Sequence, residues 1–110
     1  MGYSVKSIEV FERQAKKLIK KYPSLKSEFL ALIQELKGNP VQGTALGKSC
    51  YKIRLSIKSK GKGKSGGARI ITNFVVANDT VYLLSVYDKS DKENISDKEL
   101  DELLLSVPEW

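Results

Sequence analysis

The sequence predicts an α+β domain with its elements in the order β-α-α-β-β-β-α. Three observations carry that reading. Two amphipathic helical stripes fill the first third of the chain, alternating or β-branched apolar runs fill the middle, and a capped helical stripe closes it. At 110 residues the chain is one domain's worth, spanning 1–110.

Tyr3 to Ser7 reads as a short strand. From Ser7 as N-cap, Ile8, Phe11, Ala15, Leu18 and Ile19 recur at three- and four-residue spacing, the stripe of an amphipathic helix. Glu9 and Glu12 lie early and Lys16, Lys17, Lys20 and Lys21 late, which suits the helix macrodipole, and Pro23 ends the helix. After Ser24, the stripe Leu25, Phe29, Leu32, Ile33 and Leu36 predicts a second helix, stopped by Gly38-Asn39-Pro40. So short a link makes the two a helical hairpin.

Residues 38–49 are expected to be a loop. Tyr51 to Lys58 then alternates strictly over eight positions, which predicts a half-buried strand with Tyr51, Ile53, Leu55 and Ile57 inward and Lys52, Arg54 and Lys58 outward. The lysine-glycine stretch from Ser59 to Gly67 reads as a flexible connection. Arg69 to Val76 and Thr80 to Tyr87, joined by Ala77-Asn78-Asp79, predict an antiparallel hairpin. Ser96-Asp97-Lys98-Glu99 is a capping box, followed by Leu100, Leu103, Leu104 and Val107 as the stripe of a last helix.

Composition narrows the chemistry. Hydrophobic residues make up 41% and charged residues 29%, ordinary globular usage. No apolar run approaches the ~20 residues that span a bilayer, and no apolar stretch follows a basic start, so a cytoplasmic address is expected. The single Cys50 cannot form an internal disulfide. With no histidine, the usual zinc sites and histidine triads are unavailable, and no metal or cofactor is expected. Any chemistry must run on Lys, Arg, Tyr, Asp, Glu or Ser.

The net charge of +6 is unevenly spread. Residues 48–69 hold eight Lys or Arg and no acid, whereas residues 70–110 hold three against nine. So dense a basic stretch predicts a surface attractive to phosphate backbones, although surface lysines also serve solubility. Gly61-Lys62-Gly63-Lys64-Ser65-Gly66 matches a dinucleotide-binding pattern, but a strand follows it where that fold needs a helix. Gly63-Lys64-Ser65 mimics the end of a phosphate-binding loop whose first glycine would fall on Lys58. Asn94-Ile95-Ser96 is a formal glycosylation sequon and simply leads into the capped helix. What remains is the basic strand face: Lys52 and Arg54 on one strand, Arg69 opening the next, and Tyr87 and Lys89 ending the last. Like charges on one strand repel and call for an anion.

On these residues the chain resembles the RelE/ParE superfamily, the toxins of bacterial toxin–antitoxin systems. The segments that carry the resemblance are Cys50-Tyr51-Lys52-Ile53-Arg54, Gly67-Ala68-Arg69-Ile70-Ile71 and Tyr82 through Lys89, with the helical hairpin and the final helix. The lysine-glycine insertion is most similar to the HigB/RelE-like branch. The resemblance implies a small twisted antiparallel sheet with the helical hairpin on one face. It implies a ribosome-dependent endoribonuclease that cuts messenger RNA in the ribosomal A site, and a cognate antitoxin as partner. Carried over by position, it places Lys52, Arg54, Arg69 and Lys89 in the catalytic set. The chain departs from the pattern at Ile95, where RelE has a tyrosine, and Tyr87 is the candidate to stand in.

Cleavage by 2′-hydroxyl attack needs a proton acceptor, a proton donor and positive charge on the phosphorane. Arg54 and Arg69 suit charge stabilisation. A lysine crowded by cations yields its proton more readily, so Lys52 or Lys89 is the candidate base. Tyr87, if exposed, would stack on a base or relay a proton. Lys58, at the strand's end, and Lys60, Lys62 and Lys64, in the mobile connection, are expected to hold RNA backbone, and Arg69 to be dispensable for folding. Ile71, Val75, Val81 and Leu83 are expected to share a face with Arg69 and leave apolar surface for the antitoxin, which covers the basic face or displaces the final helix. The rival readings are a ParE-like gyrase inhibitor and a noncatalytic nucleic-acid-binding module.

Overall fold

The computed structural model describes residues 2–61, 63 and 66–108. Among the described residues, five strands and three α-helices follow in chain order: β1 (Ser4–Ser7), α1 (Glu9–Lys21), α2 (Leu25–Gly38), β2 (Thr44–Gly47), β3 (Cys50–Leu55), β4 (Ala68–Val75), β5 (Thr80–Asp88) and α3 (Asp97–Leu104), with short 3₁₀ turns at Lys58–Lys60 and Val76–Asn78. The strands form one sheet in the order β1-β5-β4-β3-β2.

Two features of the sheet differ from expectation. It is mixed, because β1 lies parallel to β5, with Ser4 opposite Thr80 and Ser7 opposite Leu83. Pairing between elements some 75 residues apart leaves no trace in local periodicity. The second is β2, which sits inside the expected loop and pairs antiparallel with β3. Its four residues are mostly exposed and lack apolar alternation, so no pattern announces it.

The helices follow their stripes. α1 buries Phe11 and Ala15, α2 buries Leu25, Phe29, Leu32 and Leu36, and the two phenyl rings meet at 5.7 Å. The N-cap of α1 is Ile8 rather than Ser7, whose hydroxyl donates to Glu12 Oε2 at 2.7 Å. α3 begins as expected, with Ser96 accepting from the Glu99 N–H and Glu99 accepting from the Ser96 N–H.

Cross-strand partners share a sheet face, so the register sorts the strands into two surfaces. Ile53, Ile70 and Val86 form one row, and Leu55, Ala68 and Asp88 the next. Asp88 reaches Tyr22 at the C-cap of α1, which marks this as the helical-hairpin face. α1 also closes an edge: beyond the short β1, Gln14 Oε1 accepts from the Val86 N–H and the Ser85 hydroxyl, both at 3.0 Å.

β5 carries a bulge, since Ile71 opposes Ser85 while Thr72 opposes Leu83. The extra residue puts Leu83 and Val81 opposite Thr72 and Phe74, away from Arg69's face. The expected apolar patch is therefore not there: Ile71, Val75, Val81 and Leu83 are all buried in the core.

Candidate active site

β3, β4 and β5 bring three of the expected residues into one row. Arg54 faces Arg69 across β3 and β4, and Arg69 faces Tyr87 across β4 and β5. Strand alternation puts Lys52 on the same surface, one step along, opposite Ile71. The β3 strand nevertheless ends at Leu55, three residues short of the expected end. Gly67 explains how β4 can start so close beside that end: a Cβ there would lie 2.1 Å from the Leu55 carbonyl oxygen.

The members of the row differ in burial. Arg54 is exposed, whereas Arg69 is 5% exposed and donates to the Ala68 carbonyl oxygen at 3.1 Å. Tyr87 is 7% exposed and its hydroxyl makes no hydrogen bond among the described residues, so the expected exposed base-stacking tyrosine is a buried one. Burial pushes the Tyr87 hydroxyl above its ordinary pKa, and Glu99 adds to that, against an opposing pull from Arg69.

The segment after β5 folds over this surface. Lys92 Nζ stands 5.2 Å from the centre of the Tyr87 ring and pairs with Glu99 of α3. Lys52 Nζ donates to Asn94 Oδ1 at 2.9 Å, and Lys48 pairs with Asp101. Two basic side chains of the β2–β3 hairpin thus hold the C-terminal segment beside the row.

A model of the family described as the RelE toxin of the RelE / RelB toxin–antitoxin system matches residues 7–106. The chain belongs to the RelE toxin family. A double arginine-to-alanine variant of Escherichia coli toxin RelE in the free state has a similar structure, with a TM-score of 0.63 at 19% identity, covering 98% of this chain and 100% of that one. The isolated E. coli RelE toxin superposes with a TM-score of 0.56 at 20% identity, over 92% and 95% of the two chains. The RelE fold is thus shared along the whole chain, and the family brings a cognate antitoxin with it.

The remaining basic residues divide. In this RelE-family chain Lys89 directly follows β5, and its N–H extends the ladder to the Gly67 carbonyl at 3.0 Å. Lys58 is exposed, but on a 3₁₀ turn rather than a strand, with its N–H held by Glu28 Oε2 at 3.1 Å. Lys62 and Lys64 lie outside the described residues.

Lys60 corrects the expectation of a mobile phosphate-binding lysine. Its side chain is 16% exposed and its ammonium donates to Asp88 Oδ1 at 2.6 Å, Ser90 Oγ at 3.0 Å and the Gly66 carbonyl at 3.2 Å. Asp88, 1% exposed, also accepts from the Tyr22 hydroxyl and from the Ser90 N–H and hydroxyl. Burial alone would raise the Asp88 carboxyl, but the bonds from Lys60, Ser90 and Tyr22 outweigh it and hold the group well below the carboxylate range. Lys60 therefore serves an internal ion pair. The acid ending an otherwise apolar strand, between Tyr87 and Lys89, was the signal for this clamp.

Among the described residues no group of three or more His, Cys, Asp or Glu could hold a metal ion, and no helix is long and apolar enough to cross a membrane.

Proposed function

We propose that this RelE-family toxin is a cytoplasmic messenger-RNA endoribonuclease that acts in the ribosomal A site. The observation that carries the reading is the Arg54–Arg69–Tyr87 row with Lys52 beside it, a cluster of fixed positive charge with a phenol at its end. In this scheme the 2′-oxygen of one nucleotide attacks the adjacent phosphorus, the bond from phosphorus to the 5′-oxygen breaks, and the products are a 2′,3′-cyclic phosphate and a 5′-hydroxyl. Arg54 and Arg69, which stay protonated, neutralise the phosphorane oxygens. Lys52 or Lys89, as the neutral amine, accepts the 2′-hydroxyl proton and becomes the ammonium, and Tyr87, kept protonated by its burial, is the donor to the leaving oxygen.

Substrate binding displaces Lys52 from the Asn94 side-chain amide oxygen and moves Lys92 off Tyr87. The ribosome holds the messenger in line, and alignment of that kind supplies several kcal/mol of a barrier. The antitoxin silences the toxin by covering the basic row or by displacing α3, which is fastened to the β2–β3 hairpin by the Lys48–Asp101 pair and to the segment after β5 by the Lys92–Glu99 pair.

Mapping messenger 5′ ends after brief induction tests the reading. Codon-phased cuts support it. DNA damage without cuts would point to a gyrase poison, and neither outcome would leave a noncatalytic binder.

A further inference from the structure

α1 turns two different surfaces to its surroundings. Phe11 and Ala15 face the core, while Arg13, Lys16, Lys17 and Lys20 are exposed on the other side. From Arg13 to Lys21 the helix holds five cations and no acid. The macrodipole accounts for Lys20 and Lys21 in the last turn, but not for Arg13, Lys16 and Lys17 in the middle. The pairs Arg13/Lys17, Lys16/Lys20 and Lys17/Lys21 stand four residues apart, where like charges destabilise a helix. Counter-ions do not relieve them: Arg13 has one long contact at 3.9 Å with the exposed Glu9, and Lys16, Lys17 and Lys20 form no ion pair among the described residues. Folding would be better served without this stripe.

We propose that the outer face of α1 is a second phosphate-backbone site, which grips a strand of RNA that continues from the Arg54–Arg69–Tyr87 row. Val10, Arg13, Gln14, Lys16, Lys17 and Lys20 line an open groove of about 510 Å³. A second groove of about 340 Å³ shares Val10 and Gln14 with it and runs on past Ser85 to Lys92 and Ile95. Lys92, which lines this second groove, stands over the Tyr87 ring, so the groove ends beside the row. Glu99 and Glu102 stand on its far wall, and Glu99 is paired with Lys92. From Arg13 to Lys20 the helix rises about 10 Å, the length of roughly three phosphates at duplex spacing. Four of the six residues that line the groove along α1 are cations, and the apolar anchors an acidic protein segment would need, Ile95 and Leu103, lie apart from them in the second groove. A polyanion held by charge alone fits better.

The proposal rests on the ribonuclease reading only for the identity of the polyanion as RNA. Its test uses the full chain and a variant with Lys16→Gln, Lys17→Gln and Lys20→Gln, bound to messenger-programmed ribosomes and to a single-stranded RNA oligomer between 50 and 200 mM salt. Each lost phosphate contact lowers the slope of log K against log salt by roughly 0.7 to 0.9. The expected result is a slope smaller by about 2 units, an affinity at least tenfold weaker at 50 mM salt, and a melting temperature equal to or above that of the parent. Replacing the same three lysines by arginine should restore the slope. Unchanged slope and affinity would overturn the proposal. So would intact RNA binding with lost binding of the antitoxin, which would make α1 a protein-binding surface. If neither protein cleaves RNA yet the slope falls as expected, the ribonuclease reading fails and the phosphate site stands.

Discussion

Arg54 and Arg69 stand directly opposite each other across β3 and β4, with Tyr87 as the next residue in the row. Two cations in that relationship concentrate positive charge on one strip of the sheet, the kind of surface that attracts a phosphate. Arg54 is exposed and Arg69 buried, which separates their predicted phenotypes. Arg54→Ala should leave the thermal midpoint unchanged or slightly raised while slowing cleavage roughly 100- to 1,000-fold, the usual effect of removing one charge-stabilising donor. Arg69→Ala should abolish growth arrest and also lower the midpoint, contrary to its expected dispensability, because a buried side chain is lost. Thermal melts paired with single-turnover cleavage distinguish the two.

The Asp88–Lys60 pair predicts an acid-sensitive clamp. Its carboxyl is held below the ordinary range in the folded chain, so between the folded and unfolded pKa values the unfolded chain binds more protons. Its stabilisation is complete above the unfolded value near 3.9 and is lost as pH falls through the folded one. Asp88→Asn should cost on the order of 3 kcal/mol at pH 7, since it leaves a largely buried ammonium without its anion. The gap between variant and parent should shrink steadily below about pH 4. A gap that stays constant in urea melts from pH 7 to pH 3 would rule the clamp out.

The β2–β3 turn stores strain that glycine would relieve. Lys48 and Ser49 have φ of 57° and 59°, the left-handed conformation that a two-residue hairpin demands and that side chains resist. Asn73 holds the turn by donating to the Lys48 and Ser49 carbonyls at 3.1 and 3.2 Å. Ser49→Gly should therefore stabilise the chain by roughly 0.5 to 1 kcal/mol, and Asn73→Ala should destabilise it by about 1 to 3 kcal/mol. Chemical denaturation of both variants checks the pair of opposite signs.

Local patterns made most of the fold legible. The stripes of α1 and α2, the alternation in β3 and the capping box at Ser96 each reflect contacts within one element or one hairpin. Long-range pairing left no such mark: β1 reads as a strand, but nothing in Tyr3 to Ser7 says that it lies parallel to β5. The row of Arg54, Arg69 and Tyr87 was legible because two adjacent hairpin pairings fix its register. What covers it was not, since the bond from Lys52 to Asn94 spans 42 residues and depends on how the C-terminal segment returns. The fixed position of Lys60 is hidden for a related reason. Glycine-rich surroundings suggested mobility, but the acid that fixes its ammonium sits 28 residues later, on the helical-hairpin face.

Tyr87 combines a buried position with a hydroxyl that has no partner among the described residues, and this separates its structural role from its chemical one. An unsatisfied buried hydroxyl costs free energy, so Tyr87→Phe should keep the ring's packing and its contact with Lys92 while raising stability by up to about 1 kcal/mol. Burial also raises the hydroxyl's pKa, so above pH 10 the unfolded chain loses its proton first. Stability should fall with rising pH there in the parent and fall less in Tyr87→Phe. If the phenol donates the proton to the leaving 5′-oxygen, the same variant should cleave RNA at least 100-fold more slowly, with unchanged affinity for the ribosome. Restoring a good leaving group, by placing a phosphorothiolate at the scissile 5′-position, should then recover most of the rate, because sulfur departs without a proton. A variant that is more stable and cleaves ordinary RNA at the parent's rate would show that Tyr87 only packs beneath Lys92.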